Sequence, residues 1–316
     1  MMNRRILISG VTGFIGANLA HRLLALGADL YAIKRRQSNL WRIENILQKL
    51  RLFDVDLNDE NRARDVLEKI SPEVVVHCAV LGGSPHQRDV NEIFGCNLFG
   101  TMNLLNAFLK TKGKLFINTG SSSEYGIKKS PMKESDLLEP VGDYGISKAA
   151  ATLYCQKTSK MTDKSIVTLR LFSPYGYFED AGRLFPSIIK AIIRGEAPSL
   201  AKPDSVRDFC FIEDVMDAYI RTINFPEPKK ISGQIFNIAY GRQYSVREAF
   251  EIVCKITQKD LQARWGEAAS RGMEPAIWQA DIGKARKILG WKPKTTLAEG
   301  VKLYVEWFKD NVEKYQ

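Results

Sequence analysis

Tyr144 and Lys148 stand four residues apart in a stretch, 143–162, with the length and composition of a helix. At that spacing both side chains project from one helical face. A lysine ammonium beside a phenol stabilises the phenolate, which makes the phenol a usable acid or base near neutral pH. Ser121 lies upstream, where an apolar run ends in Thr119-Gly120-Ser121-Ser122-Ser123-Glu124-Tyr125-Gly126. Its hydroxyl is suited to share the proton by bonding to the same substrate oxygen. Taken alone, Tyr-x-x-x-Lys describes an ordinary pair on a helix surface. Its weight comes from what precedes it.

Residues 4–16, Arg-Arg-Ile-Leu-Ile-Ser-Gly-Val-Thr-Gly-Phe-Ile-Gly, read as strand, glycine turn and helix. Ile6 to Ile8 form a strand buried on both faces. Leu19, Leu23, Leu24 and Leu26 give the following segment helical periodicity. In that context Gly10 permits a tight turn, Gly13 a close approach to a pyrophosphate, and Gly16 close packing of helix on strand. The phosphates would rest on N–H groups at the helix N-terminus. The alternative is a plain strand–helix turn.

A second strand is predicted over 29–34. NAD-binding units carry an acidic residue about 20 residues past the glycines, on the adenosine ribose. Here that place holds Lys34, Arg35 and Arg36. Cations there suit a 2′-phosphate, so NADP(H) is favoured, with NAD(H) the alternative if this is only a solvated basic turn. Further strands are predicted at 50–55, 74–77 and 114–118, with helices at 59–70, 90–110 and 143–162. Ligands of such sheets sit beyond the carboxyl ends of the strands, so the loop 79–88 should border the site. His86 lies in it, as a candidate acid or ligand or as a solvated loop histidine. His77 ends a strand and reads as structural, and His21 carries no evident chemistry.

Hydrophobic residues make up 45% of the 316 and charged residues 26%, as in a soluble globular protein. No apolar run approaches the roughly 18–20 residues that span a bilayer, so no membrane association is expected. A strand begins within a few residues of the N-terminus, which leaves no room for a signal peptide. The five cysteines are scattered without metal-ligand spacing. They read as reduced, mostly buried thiols of a cytoplasmic protein with no metal site. The net charge of +10 is spread along the chain. Without a basic block interleaved with aromatics, no nucleic-acid partner is expected. The basic balance suits a small anionic ligand, and equally a basic surface with no ligand meaning.

Together these residues resemble the extended short-chain dehydrogenase/reductase family, in its nucleotide-sugar epimerase/dehydratase/reductase branch. Gly10, Thr12, Gly13, Phe14, Ile15 and Gly16 resemble its cofactor loop, and Asp56-Leu57 its adenine contact. Ala79 falls where the cofactor ribose is lined, and Asn97-x-x-Gly100-Thr101-x-Asn103-Leu104-Leu105 is similar to a family helix motif. Ser121, Tyr144 and Lys148 match the catalytic triad, in which Lys148 also holds the nicotinamide ribose. Leu169-Arg170-Leu171-Phe172-Ser173-Pro174-Tyr175-Gly176 resembles a segment reaching the sugar nucleotide, with Ser173 in place of the usual Asn. Arg207, in Arg207-Asp208-Phe209, and Arg271 resemble diphosphate-binding arginines. Ser122 and His86 complete the candidate substrate contacts. Asp281 and Leu289-Gly290-Trp291-x-Pro293 match the closing segment.

The resemblance implies an α/β fold: a Rossmann-type doubly wound parallel sheet of about seven strands with a smaller C-terminal substrate-binding domain. The dinucleotide-binding domain is expected over 1–173, with a return at about 206–240, and the substrate domain mainly over 174–316. In this family the long helices at 90–110 and 143–162 commonly make a homodimer, which the resemblance implies; read from sequence alone they are equally ordinary sheet-covering helices. The partner implied is a nucleotide-diphosphate sugar.

Three reactions share this triad. In 4,6-dehydratases, Asp-Glu or Glu follows the triad Ser/Thr. Aligned on Tyr125-Gly126 those places hold Ser122 and Ser123, although a one-residue gap would bring in Glu124. A reductase must exchange NADPH each turnover, which suits Arg35 and Arg36. The leading expectation is NADPH-dependent reduction of a nucleotide-linked 4-keto-6-deoxyhexose at C4. The alternative is a nucleotide-hexose 4-epimerase with tightly bound NAD, then a 4,6-dehydratase. A non-catalytic NADP-sensing protein would be expected to have lost the triad.

Overall fold

The computed structural model describes residues 4–83, 87, 89–268 and 275–315. His86 and Arg271 therefore lie outside the described residues. Strands β1 (Arg5–Ser9), β2 (Asp29–Lys34), β3 (Arg51–Asp54), β4 (Val74–His77), β5 (Leu115–Ser121), β6 (Ser165–Leu171) and β7 (Ile235–Ile238) build one sheet in the order β7-β6-β5-β4-β1-β2-β3. The pairings run parallel, with Ile8 opposite both Ala32 and Val76. The order reverses at β1, whose neighbours are β2 and β4, so the sheet is doubly wound. Ile6, Leu7 and Ile8 are buried completely, as a strand covered on both faces requires.

Helices α1 (Phe14–Ala25), α2 (Glu60–Ile70), α3 (Val90–Phe94), α4 (Gly100–Leu109) and α5 (Asp143–Met161) belong to the same half of the chain. Asp59 caps α2 by accepting from Arg62 N. The segment 90–110, predicted as one helix, is α3 and α4 joined by a π-helical turn, Gly95–Phe99. Such turns occur frequently at functional sites. Strand β5 runs three residues past its predicted end because Thr119, Gly120 and Ser121 go on pairing with Leu169, Arg170 and Leu171. Strand β6 itself, with Arg170 in it, is an addition to the strands predicted from sequence.

The chain divides into two compact units. The first holds the residues up to Gly126, then Leu137–Leu171 and Met216–Phe236; the second holds Ile127–Asp136, Phe172–Val215 and the chain from Asn237 on. In the second unit, Tyr175, Phe185, Phe209 and Phe211 pack around one another, with Tyr175 and Phe185 rings 4.6 Å apart. The buried Trp291 donates from its indole N–H to Asp214 O at 2.9 Å. The Asp214 carboxylate accepts from Lys294 N and Thr295 N.

Candidate functional site

The glycine turn is built as its sequence requires. Gly10 has φ +70°, and a Cβ there would lie 2.5 Å from Ala79 N, so only glycine lets the ends of β1 and β4 come this close. A Cβ on Gly16 would lie 2.2 Å from Gly10 O, which fixes the first turn of α1 against the loop. No side chain caps the N-terminus of α1, and no acidic residue stands in its first turn. Thr12 is braced through its carbonyl, which accepts from Arg42 Nη1 at 3.2 Å. Arg42 is 9% exposed and lies over the Trp41 ring. Sequence reasoning missed this brace because its partner is 30 residues away.

At the end of β2, Lys34 Nζ meets Asp54 Oδ1 at 2.5 Å. Arg35 and Arg36 are exposed, and neither guanidinium has an ion-pair partner among the described residues. Asp56 and Leu57 follow β3. Asp56 Oδ1 accepts from Asn58 N, and Leu57 O accepts from Asn103 Nδ2 at 2.8 Å. Leu57 is thereby tied to α4, where a Cβ on Gly100 would lie 3.1 Å from Leu57 Cβ.

Beneath the loop after β4, His77 is fully buried. Thr101 Oγ1 spends its proton on Asn97 O at 2.6 Å, so it accepts from His77 Nε2–H at 2.8 Å. The unprotonated Nδ1 then accepts from Ser9 O–H at 2.6 Å. Burial first, then the Lys148 ammonium, push the imidazolium form down to a pKa of about 3. His77 is a neutral structural group. Cys78, also buried, is pushed up to about 11 by burial, against the pull of Thr119 and Tyr219. Cys78, Cys155 and Cys210 are buried free thiols, with Cys96 and Cys254 half-buried. No group of three or more metal-ligating side chains occurs among the described residues.

The π turn points Asn97 inward, where it is wholly buried. Its Oδ1 accepts from Leu81 N, and its Nδ2 donates to Leu81 O and to Ser147 Oγ, all within 2.9 Å. Ser147 in turn donates to Tyr144 O. One side chain thus joins the loop after β4 to the first turn of α5. A Cβ placed on Gly83 in that loop would lie 3.9 Å from Tyr144 Cε2.

Ser121 closes β5 and is nearly buried; its Oγ accepts from Ser123 N. The turn it starts meets α5 at Gly145, where a Cβ would lie 2.6 Å from Ser123 O. That contact brings the strand end carrying Ser121 against the helix carrying Tyr144 and Lys148. Ser122 is buried in the turn, Tyr144 is partly exposed, and Lys148 is 2% exposed with no carboxylate partner among the described residues. Glu124 is wholly buried: Oε1 accepts from Ser121 N at 2.7 Å, and Oε2 from Arg170 Nη2 at 2.7 Å and Nε at 3.0 Å. It faces β6, with every carboxylate oxygen engaged, so it offers no acid or base to a substrate.

Two candidate substrate residues lie in the second unit. Ser173 has φ +28°, a left-handed conformation that asparagine adopts more readily than serine. Its carbonyl accepts from Cys210 N. Arg207 is half-buried, pairs across a short antiparallel ladder with Tyr244, and donates from Nη1 to Val206 O. Its neighbour Asp208 is buried and accepts from Tyr240 N, Gly241 N and Ala280 N. Asp208 pins the chain beside Arg207, a role the sequence did not disclose.

Comparison with known proteins agrees with this geometry. The model of the NAD dependent epimerase/dehydratase family matches residues 6–239. A UDP-glucose 4-epimerase of Lactobacillus helveticus is 26% identical over 99% of both chains. A CDP-abequose synthase of Salmonella muenchen is 26% identical, covering 95% of this chain and 97% of its own. A UDP-glucose 4-epimerase of Thermotoga maritima, solved with UDP-glucose, superposes with a TM-score of 0.88 at 25% identity, over 97% of this chain and 99% of its own. With the doubly wound sheet and the glycine turn in place, the chain belongs to the NAD-dependent epimerase/dehydratase family, among the extended short-chain dehydrogenases/reductases that act on nucleotide sugars.

Proposed function

We propose that the protein is an NADPH-dependent reductase of a nucleotide-linked 4-keto-6-deoxyhexose. The observation that carries this reading is the end of β2, where Arg35 and Arg36 are exposed and unpaired among the described residues while Asp54 occupies Lys34. Two guanidiniums suit a 2′-phosphate. An adenosine ribose without that phosphate would leave them with no function there. The chain fits a dinucleotide at the glycine turn, where Gly10 and Gly16 let the loop close tightly on β4 and on itself and α1 presents an uncapped N-terminus to phosphate. Thr12, Gly13, Phe14 and Ile15 would line it, with Asp56, Leu57 and Ala79 toward adenine and ribose.

The bound dinucleotide would supply the hydride for sugar C4. Tyr144 would give its phenolic proton to the C4 oxygen, with Ser121 Oγ bonded to the same oxygen. Lys148 would stabilise the resulting phenolate and hold the nicotinamide ribose. Arg207 and Arg271 would take the diphosphate, and Ser122, Ser173 and His86 would lie toward the sugar. The engagement of Glu124 with Ser121 N and Arg170 counts against 4,6-dehydration, for which a one-residue gap would have brought in that carboxyl. A homodimer is proposed through the outer face of α5, where Ile146 and Leu153 stand exposed seven residues apart, together with exposed Phe99. The protein is proposed to be cytoplasmic, with its thiols reduced.

The second reading, a 4-epimerase holding NAD, is favoured by the predominance of 4-epimerases among the similar proteins, those of Lactobacillus helveticus and Thermotoga maritima included. One experiment separates them. The protein is denatured after purification, and any released dinucleotide is identified by anion-exchange chromatography. It is then assayed with UDP-glucose and with GDP- and CDP-linked 4-keto-6-deoxyhexoses. Little bound dinucleotide and consumption of NADPH with a 4-keto sugar support the reductase. Stoichiometric NAD(H) and interconversion of UDP-glucose with UDP-galactose overturn it in favour of the epimerase. Tyr144→Phe should abolish either turnover; near-full activity would remove Tyr144 from the mechanism.

A further inference from the structure

The buried pair beneath Ser121 has no counterpart in the chemistry above. Glu124 and Arg170 both have fully buried side chains. Isolated charges do not persist in such surroundings, so each requires the other. Burial pulls the guanidinium pKa down, but Glu124 outweighs it and the net direction is up. Arg170 Cζ also lies over the Tyr125 ring, 4.3 Å from its centroid. Across the sheet, Gly120 pairs with Arg170 and Ser121 with Leu171.

Glu124 faces two ways. Oε2 takes both Arg170 donors, while Oε1 reaches back to Ser121 N. Ser121 Oγ accepts from Ser123 N in return, closing a capping box around one short turn. The backbone gives way to this carboxylate: a Cβ on Gly120 would lie 2.7 Å from Glu124 Oε1. Three positions, 120, 124 and 170, are therefore mutually dependent. A turn needing only stability could fill the space with apolar packing, which commonly holds a site as well as or better than a buried ion pair.

We propose that Glu124, held by Arg170, is a positioning residue that sets the backbone of Ser121 and so the aim of its hydroxyl. This rests on the reading of Ser121 as part of the Ser–Tyr–Lys triad. The carboxylate fixes Ser121 N, and the charge of Arg170 fixes the carboxylate. The fully apolar alternative, Glu124→Leu with Arg170→Leu, removes the aim without leaving a lone buried charge.

The test compares Ser121→Ala, Glu124→Gln and the double variant E124L/R170L with the unaltered protein. Thermal midpoint, NADPH affinity by fluorescence, kcat and KM with whichever sugar nucleotide of the panel is turned over, and hydrogen–deuterium exchange of the peptide spanning 119–125 are measured. The double variant should keep its midpoint and NADPH affinity, lose at least tenfold in kcat with KM within about threefold, and exchange faster over 119–125. Recovery of kcat to within threefold with the fold intact would overturn the proposal. Should the double variant fail to fold, Glu124→Gln decides. It keeps an acceptor for Ser121 N but turns an uncharged amide toward Arg170. Faster exchange at 119–125 with lowered kcat supports positioning, and unchanged exchange and kcat overturn it. Ser121→Ala separates the two levels. If it stays active, the triad reading fails; if it is inactive while E124L/R170L is fully active, only the positioning role fails.

Discussion

Asn97 Nδ2 lies 2.9 Å from Ser147 Oγ, and this hydrogen bond joins the π turn of one helix to the catalytic-candidate face of another. The same amide satisfies both backbone groups of Leu81. Asn97→Ala would strand these groups in a dry interior. We expect it to cost about 2–4 kcal/mol in denaturant unfolding. Activity should fall by roughly tenfold or more, because the loop after β4 and α5 lose their common anchor. Activity and stability both close to those of the unaltered protein would show that the loop is held by other means.

Gly145 tests the join between Ser121's turn and α5. Replacing a helical glycine by alanine ordinarily gains about 1 kcal/mol. Here the new methyl would press on Ser123 O at 2.6 Å and Pro140 Cβ at 3.0 Å. Overpacking against backbone costs about 1–3 kcal/mol, so the net effect of Gly145→Ala should be destabilising. Gly142, the N-cap of α5, has nothing within 4 Å of the position a Cβ would take, and Gly142→Ser should be neutral or slightly stabilising. Equal midpoints for the two variants would contradict the close approach.

His77 should stay neutral and Nε2-protonated wherever the protein is folded. Its folded pKa of about 3 lies below the unfolded 6.5. The folded state therefore binds fewer protons between those values, and this stability is lost as pH falls below 6.5. Histidine-selective 15N spectra should show one imidazole, among the three in the sequence, that does not titrate from pH 8 down to acid unfolding. Three titrating histidines would refute the assignment.

Glu179 has the opposite sign. Burial pushes its carboxyl up to about 7, against the pull of Arg183 at 3.5 Å. Its Oε2 is buried with no hydrogen-bond partner. Folded Glu179 keeps its proton to higher pH than unfolded, so the folded state binds more protons between pH 4.5 and 7. That contribution is present below pH 4.5 and lost as pH rises through 7. Glu179→Gln should remove the slope, gaining on the order of 2 kcal/mol over the unaltered protein between pH 5 and 8. Parallel pH profiles of the denaturation midpoint would count against it.

Much of the nucleotide-binding half was legible because its signals are local. Gly16 is demanded by its contact with Gly10, six residues away, Gly10 takes the positive φ of a tight turn, and Tyr144 and Lys148 share a helix. What stayed hidden depends on partners distant in sequence. Strand β6 was not predicted, because Arg170 interrupts its apolar run; it is a strand residue only because Glu124 neutralises it from 46 residues away. For the same reason Glu124 read as a possible acid or base when it is a buried ligand of Arg170. The π turn left no trace in the periodicity, since one extra residue between Gly95 and Gly100 merely shifts the apolar face. Asp208 looked like the neighbour of an arginine and is instead a backbone clamp on Tyr240, Gly241 and Ala280.

The sheet order has a consequence for how the molecule is made. Strand β7 completes the sheet beside β6, yet its residues, 235–238, come more than sixty positions after β6 ends. On a ribosome, β6 would emerge long before its neighbour and expose an unpaired edge during that interval. Parallel pairings at such separation form slowly. A chain stopped near residue 171 should thus retain the glycine turn and the Tyr144 helix but aggregate through β6, while one extended through 238 should close the sheet. The span in which this protein most needs a chaperone is set by the delayed arrival of the edge strand that completes its sheet.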